Sequence, residues 1–214
     1  DFQELRNWES FPLAPAGTAA AGTPLNWNHN FQNNPYWVLD TNRNTLAKDR
    51  LIGNIDVSYQ LTDWLSFSQK IGIDTYSQLE TQRQAVGSNN AQNGSYYERQ
   101  IRFEEVNASF LLSYDKDFTE DFGFSLSFGG NHMHRTYDRV YGELPGLELP
   151  NLYNLSNLQT GATAELENLH TYEQINSLYA FGQFSYKDMF FLDFTARNDW
   201  SSILPVANNS FLYP

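Results

Sequence analysis

Cysteine is absent from the 214 residues, which removes a disulfide framework, a thiolate nucleophile and a thiolate-bound metal. Cations are scarce: 13 Lys and Arg stand against 25 Asp and Glu, a formal net charge of -12. With no Lys/Arg cluster there is no basic face for phosphate, so nucleic acid is excluded as a partner. No run approaches the roughly eighteen consecutive apolar residues of a transmembrane helix. Membrane strands escape that test, because hydropathy windows average over their alternation. The opening "DFQELRNWES" has no Met, no basic n-region and no apolar h-region, as expected of a chain that has lost a leader or is an internal piece of a longer protein.

Large rings are what the chain has in excess. Sixteen Phe, thirteen Tyr and five Trp make it 16% aromatic at a mean hydropathy of -0.54. A chain that is hydrophilic on average yet rich in rings suits strands, where rings and polar residues alternate.

That alternation is explicit. Leu51, Gly53, Ile55, Val57, Tyr59 and Leu61 share one phase against Ile52, Asn54, Asp56, Ser58 and Gln60. Thr62-Asp63 supplies a two-residue turn. Leu65, Phe67, Ile71 and Ile73 follow on one face, with Gln69 an exception among them. A third strand carries Val106, Ala108, Phe110, Leu112 and Tyr114. A fourth carries Phe122, Phe124, Leu126 and Phe128 opposite Gly123, Ser125, Ser127 and Gly129. A fifth, about 177–186, is ambiguous in phase, because Leu178, Ala180, Phe184 and Tyr186 compete with Tyr179 and Phe181. After Lys187-Asp188, Phe190, Leu192, Phe194 and Ala196 oppose Phe191, Asp193, Thr195, Arg197 and Asp199. The expected layout is a strand region over 50–200 with long loops at 80–100 and 135–176, flanked by outer loops at 1–49 and 201–214.

Short connections at 62–63, 115–121 and 187–188 alternate with those long ones, the asymmetry of an outer-membrane barrel. Rings gather near the short turns (Tyr59, Trp64, Tyr114, Phe118, Phe122, Tyr186, Phe190), where an interfacial girdle would lie. About ten tilted residues cross an apolar band of about 25 Å, and four of the six expected strands are that long. The expected fold is therefore all-β: about six antiparallel strands of a larger transmembrane barrel. The alternative is a soluble β-sandwich, a carbohydrate-binding module or glycosidase subdomain, whose second sheet would cover the rings. It predicts shorter strands and no loop asymmetry, and it would stay soluble where a barrel needs detergent.

Three stretches carry a resemblance: "NNPYWVLDTNRNTLAKDRLIGNIDVSYQLTDWLSFSQKIGID" (33–74), "SYKDMFFLDFTARNDWSSILP" (185–205) and "NNSFLYP" (208–214). In order and spacing they resemble the SusC/RagA-like family of TonB-dependent outer-membrane transporters of Bacteroidetes-type bacteria. The resemblance implies a 22-stranded barrel with a plugged lumen, in the bacterial outer membrane. It also implies uptake of oligosaccharides or peptides, a SusD-like surface lipoprotein as lid, and a TonB-ExbB-ExbD complex acting through a plug and TonB box not in this chain. Six strands would be an interior fragment of such a wall.

Candidate sites follow. Arg197 and Asp199, two apart on one face with Asp193, suit a polar network on the lumen or rim. His132 and His134 share a face but have no third ligand nearby in sequence, so no metal is expected. Glu104/Glu105 and Glu165/Glu167 are paired carboxylates with nothing to set them apart from solvated charge. No catalytic residue and no cofactor are expected. Ligand contact is expected from rings in the loops, where binding concentrates: Trp27, Trp37, Tyr96, Tyr97 and Tyr153, with Trp8 also in view.

Overall fold

The computed structural model describes residues 32–214 and Arg6. Within residues 32–214 a seven-residue helix, α1 (Pro35–Thr41), comes first. Asn34 caps it by accepting from the Tyr36 N–H at 2.9 Å, and Pro35 occupies its first turn, where the missing N–H costs nothing. Seven strands follow: β1 (Asn44–Thr62), β2 (Leu65–Gln84), β3 (Ser95–Thr119), β4 (Phe122–Leu144), β5 (Glu165–Tyr186), β6 (Phe190–Ser201) and β7 (Ser210–Tyr213). They form one antiparallel sheet in chain order, an up-and-down meander that the described residues leave unclosed.

The strands outrun the sequence pattern. β2, β3, β4 and β5 are 20, 25, 23 and 22 residues long, roughly double the ten or so that cross a bilayer. Residues 80–84, 95–100, 135–144 and 165–176, expected as loop, are strand; so are 44–49 and 210–213. The reason is physical. Period-two hydropathy appears only where one face is apolar over several residues and the other polar; these stretches are too mixed, or in 210–213 too short, to show it, while the backbone ladder continues regardless.

By contact density the chain divides into two units. The first comprises 1–49, 77–101 and 138–169, and among its described residues it holds a core of its own. Val86, Tyr96, Leu144 and Leu147 are buried together, with Tyr153, Leu158 and Ala164 packed on them. The connection 85–94 meets 145–164 through Leu147 N–H to Asn93 C=O at 2.9 Å. Gly94 makes the approach possible: its φ is +73°, and a Cβ there would stand 2.9 Å from Leu147 Cδ1. Asn157, almost fully buried, ties the longer connection by accepting from Leu149 N–H (3.0 Å) and donating to Leu149 C=O (2.9 Å) and Leu152 C=O (2.6 Å).

The second unit comprises 50–76, 102–137 and 170–214. Here the β5–β6 register settles the phase that the sequence left open. Ala180 pairs with Ala196, Gly182 with Phe194, Phe184 with Leu192 and Tyr186 with Phe190. Cross-strand partners share a face, so these residues form the ring-bearing face, while Tyr179 and Phe181 go to the other with Arg197 and Thr195. Rings then tile one side. Phe124 touches Tyr114 at 5.9 Å, Phe118 at 6.3 Å and Phe184 at 4.6 Å between centroids, all on strands of the same sheet. Gly182 is the notch that seats Phe194, since a Cβ there would strike that ring and the Ser125 carbonyl. Phe122, Phe184, Phe190 and Leu192 remain 49 to 66% exposed. Among the described strands no second sheet covers them, which a sandwich would require.

Candidate functional site

The face opposite the rings carries paired charge. In the second unit, Arg197 Nε donates to Asp199 Oδ1 at 2.8 Å, and its guanidinium also reaches Ser177 Oγ at 3.1 Å. The same guanidinium lies 5.7 Å from the centre of the Tyr179 ring, which presses against Gly129 from across the strand pair. Asp193 does not join this cluster directly; it accepts from Gln183 Nε2 at 2.7 Å. Arg135 bridges two acids from neighbouring strands, Glu105 at 2.6 Å and Glu173 at 3.1 Å. Arg50 and Asp74 form a two-pronged pair at 2.8 and 2.6 Å. Glu105, one of the paired carboxylates named above, is thus a partner of arginine.

In the first unit the equivalent chemistry is built around tyrosine. Glu80 accepts from Tyr97 Oη at 2.6 Å and pairs with Arg99. The Tyr97 ring lies 5.6 Å from Tyr141, whose hydroxyl bonds Glu143. Arg139 pairs with Glu167, which accounts for that carboxylate too. These groups are partly open to solvent, so each pair contributes only about 0.2–1 kcal/mol. Their consequence is orientation: planar guanidinium forks hold carboxylates and phenols in set directions.

The expected loop rings separate by burial. Trp37 is 3% and Tyr96 8% exposed, so both rings are interior to the first unit and offer a ligand little surface. Trp37 is the anchor of α1, and its carbonyl accepts from Thr41 Oγ1. Tyr153 is half-buried against Arg83, 4.7 Å away over its ring. Burial pushes the Tyr153 phenol above its usual range, and the Arg83 charge partly offsets this. Tyr97 is only partly covered and sits beside Tyr141, Glu80 and Arg99. Trp27 and Trp8 lie outside the described residues. Tyr141 and Glu80 were missed in the sequence because the ends of β4 and β2 on which they lie lack the alternation that marks the rest of those strands; the faint signal was the spacing of Tyr97 to Arg99 and Tyr141 to Glu143, two apart and so on one face.

The two histidines have separate partners. His132 Nδ1 meets Asn176 Oδ1 at 2.7 Å, and His134 packs edge-on against Tyr172 at 4.9 Å. Among the described residues no group of three or more His, Cys, Asp or Glu is arranged to hold a metal ion.

No family model matches the chain, and no curated protein matches it. Solved structures do. A chain of the RagAB peptide transporter is 18% identical, with a TM-score of 0.73 over 84% of this chain and 20% of that one. The RagAB peptide importer in its closed-closed state gives 17% identity and a TM-score of 0.74, again over 84% and 20%. In its open-open state the values are 17% and 0.72 over the same shares. The chain therefore spans about a fifth of the length of the chains it matches (20%), and identity this low carries the fold alone.

Proposed function

We propose that this chain is part of the wall and outer loops of a TonB-dependent importer in a bacterial outer membrane. Its ring-bearing face meets lipid, and its charged face looks into a plugged lumen. The observation that carries the reading is the division of one sheet into two chemistries. Phe184, Phe190 and Leu192 stand exposed on one side, and the arginine–carboxylate pairs of Arg135 and Arg197 line the other. Exposed contiguous rings need a cover, and an up-and-down sheet whose neighbours in fold belong to a peptide importer finds it in acyl chains.

Substrate enters from the side of the long connections, 85–94 and 145–164, and is held between outer loops and plug beneath a SusD-like lipoprotein; TonB-ExbB-ExbD supplies the pull on the plug. Of oligosaccharide and peptide, peptide is favoured, because the structural neighbours are chains of a peptide transporter and a peptide importer. Tyr97 with Tyr141, and then Tyr153, are the rings positioned to touch ligand; Trp27 belongs to the same proposal. Arg197, Asp199 and Asp193 belong to the lumen or rim network. No covalent chemistry is assigned to it.

Two measurements test this. Cell fractionation should place the protein with outer membranes, extractable only in detergent; recovery in the soluble fraction ends the importer reading and revives the sandwich module. Uptake of labelled oligopeptides should fall when Tyr97→Ala and Tyr141→Ala are combined, with oligosaccharide uptake as the comparison. Loss of the second alone would reassign the substrate.

A further inference from the structure

We infer that the ring-bearing face holds one seated lipid: a notch at the end of its apolar band takes the acyl-ester chain of a bilayer lipid. This rests on the membrane reading above but adds a defined site to it. The notch has a volume of ≈ 370 Å³ and lies within the second unit. Gly130 is its floor. Phe110 and Leu178 close over that glycine, so near that a Cβ would stand 2.7 Å from the Phe110 ring and 3.1 Å from Leu178 Cδ2. Trp200 forms a further wall. An apolar cavity of about 150 Å³ already takes a benzene ring, so this one has room for a length of chain.

The lip differs from the floor. Gln69, the polar exception on an otherwise apolar stretch of β2, lines it together with His132 and Asn176. An amide oxygen only accepts, so in the 2.7 Å contact His132 Nδ1–H donates to Asn176 Oδ1. The Asn176 carboxamide N–H groups then stay available as donors, as do those of Gln69. A hydrocarbon floor with a donor lip matches a chain ending in a carbonyl. None of the lining residues is Lys or Arg, so a phosphate headgroup or a free fatty carboxylate finds neither an ammonium nor a guanidinium there. The neutral ester carbonyl fits. Bulk tails are as apolar as the notch, so residence comes from shape and from those hydrogen bonds rather than from escape from water.

Photo-crosslinking tests the site: the intact protein in phosphatidylcholine vesicles doped with a phosphatidylcholine bearing a diazirine on its acyl chain, adducts being mapped by mass spectrometry. Adducts per residue on Phe110, Leu178 and Trp200 should exceed those on Leu126 and Leu192 by about threefold, the ratio one membrane hydrogen bond of average strength supports. Ala108→Leu, which fills the notch from its side, should level the two sets, as should Gly130→Leu if it folds. Heat-modifiable gel mobility checks folding of both. Even labelling in the unaltered protein, or excess that survives a folded Ala108→Leu, overturns the site while leaving the importer wall intact. Absence of adducts anywhere on this face overturns the membrane reading itself.

Discussion

The two units solve the same problem in opposite ways. The first buries a cluster of large apolar side chains against one another: Leu144 is 1% exposed and Leu147 4%. The second leaves Phe190 and Leu192 each 66% exposed and packs rings side by side along the sheet. A buried core and an open ring-bearing face can use the same residue types. What distinguishes them is whether the cover is part of the chain.

The largest effect that separates the two regions is expected from Leu144→Ala. Truncating so buried a leucine should cost about 2–5 kcal/mol, read as faster hydrogen exchange at amides of 85–94 and 145–164 with β6 unchanged. Equal acceleration in β6 would show that the units do not behave separately. Next comes Leu192→Arg, a charge placed on the ring-bearing face. In bilayers it should destabilise by about 2–4 kcal/mol if it lies near the midplane, whereas Thr195→Arg, on the opposite face, should be nearly silent. If both are silent in reversible unfolding from lipid vesicles, hydrocarbon is not the cover.

Smaller is the effect of Arg135→Met, which strands Glu105 and Glu173 beside each other. Because Arg135 is 43% exposed, the loss should be about 1 kcal/mol, and adding Glu105→Gln and Glu173→Gln should recover most of it. A gain is expected at the turn of β5 and β6. Lys187 and Asp188 hold φ of 52° and 51°, a left-handed conformation that costs non-glycine residues roughly a kcal/mol, so Asp188→Gly should stabilise the hairpin by about 0.5–1 kcal/mol. The smallest concerns Tyr153 in the first unit. Its folded phenol titrates above the unfolded value, so its contribution is complete below about pH 10. That contribution is lost as pH climbs through the raised value, and Tyr153→Phe should flatten this part of the stability profile in alkaline titration.

How legible these regions were in the sequence follows from the same contrast. Phe122 to Phe128 could be read directly, because a one-sided apolar environment writes itself as alternation. The extensions of β2 to β5 could not, since residues such as Gln78, Glu80 and Gln82 are polar like their neighbours Leu79 excepted, and only the ladder makes them strand. Loop rings were visible as rings, but whether a ring is core or surface depends on what folds over it. Trp37 and Tyr96 went inside with Val86, Leu144 and their neighbours, and Tyr97, one residue along, faced away because successive side chains on a strand alternate.

Composition and periodicity by themselves determined the all-β class, the ring-bearing phase of β4 and β6, the short turns and the Arg197–Asp199 pairing, because each depends on residues within a few positions of one another. Tertiary structure alone decided the phase of β5, through its register with β6, and the partners of Arg135, which come from β3 and β5. It alone decided the notch above Gly130 as well. Such features depend on which residues of distant strands come opposite each other, and that is set by the hydrogen-bonded register across the sheet, which no local pattern contains.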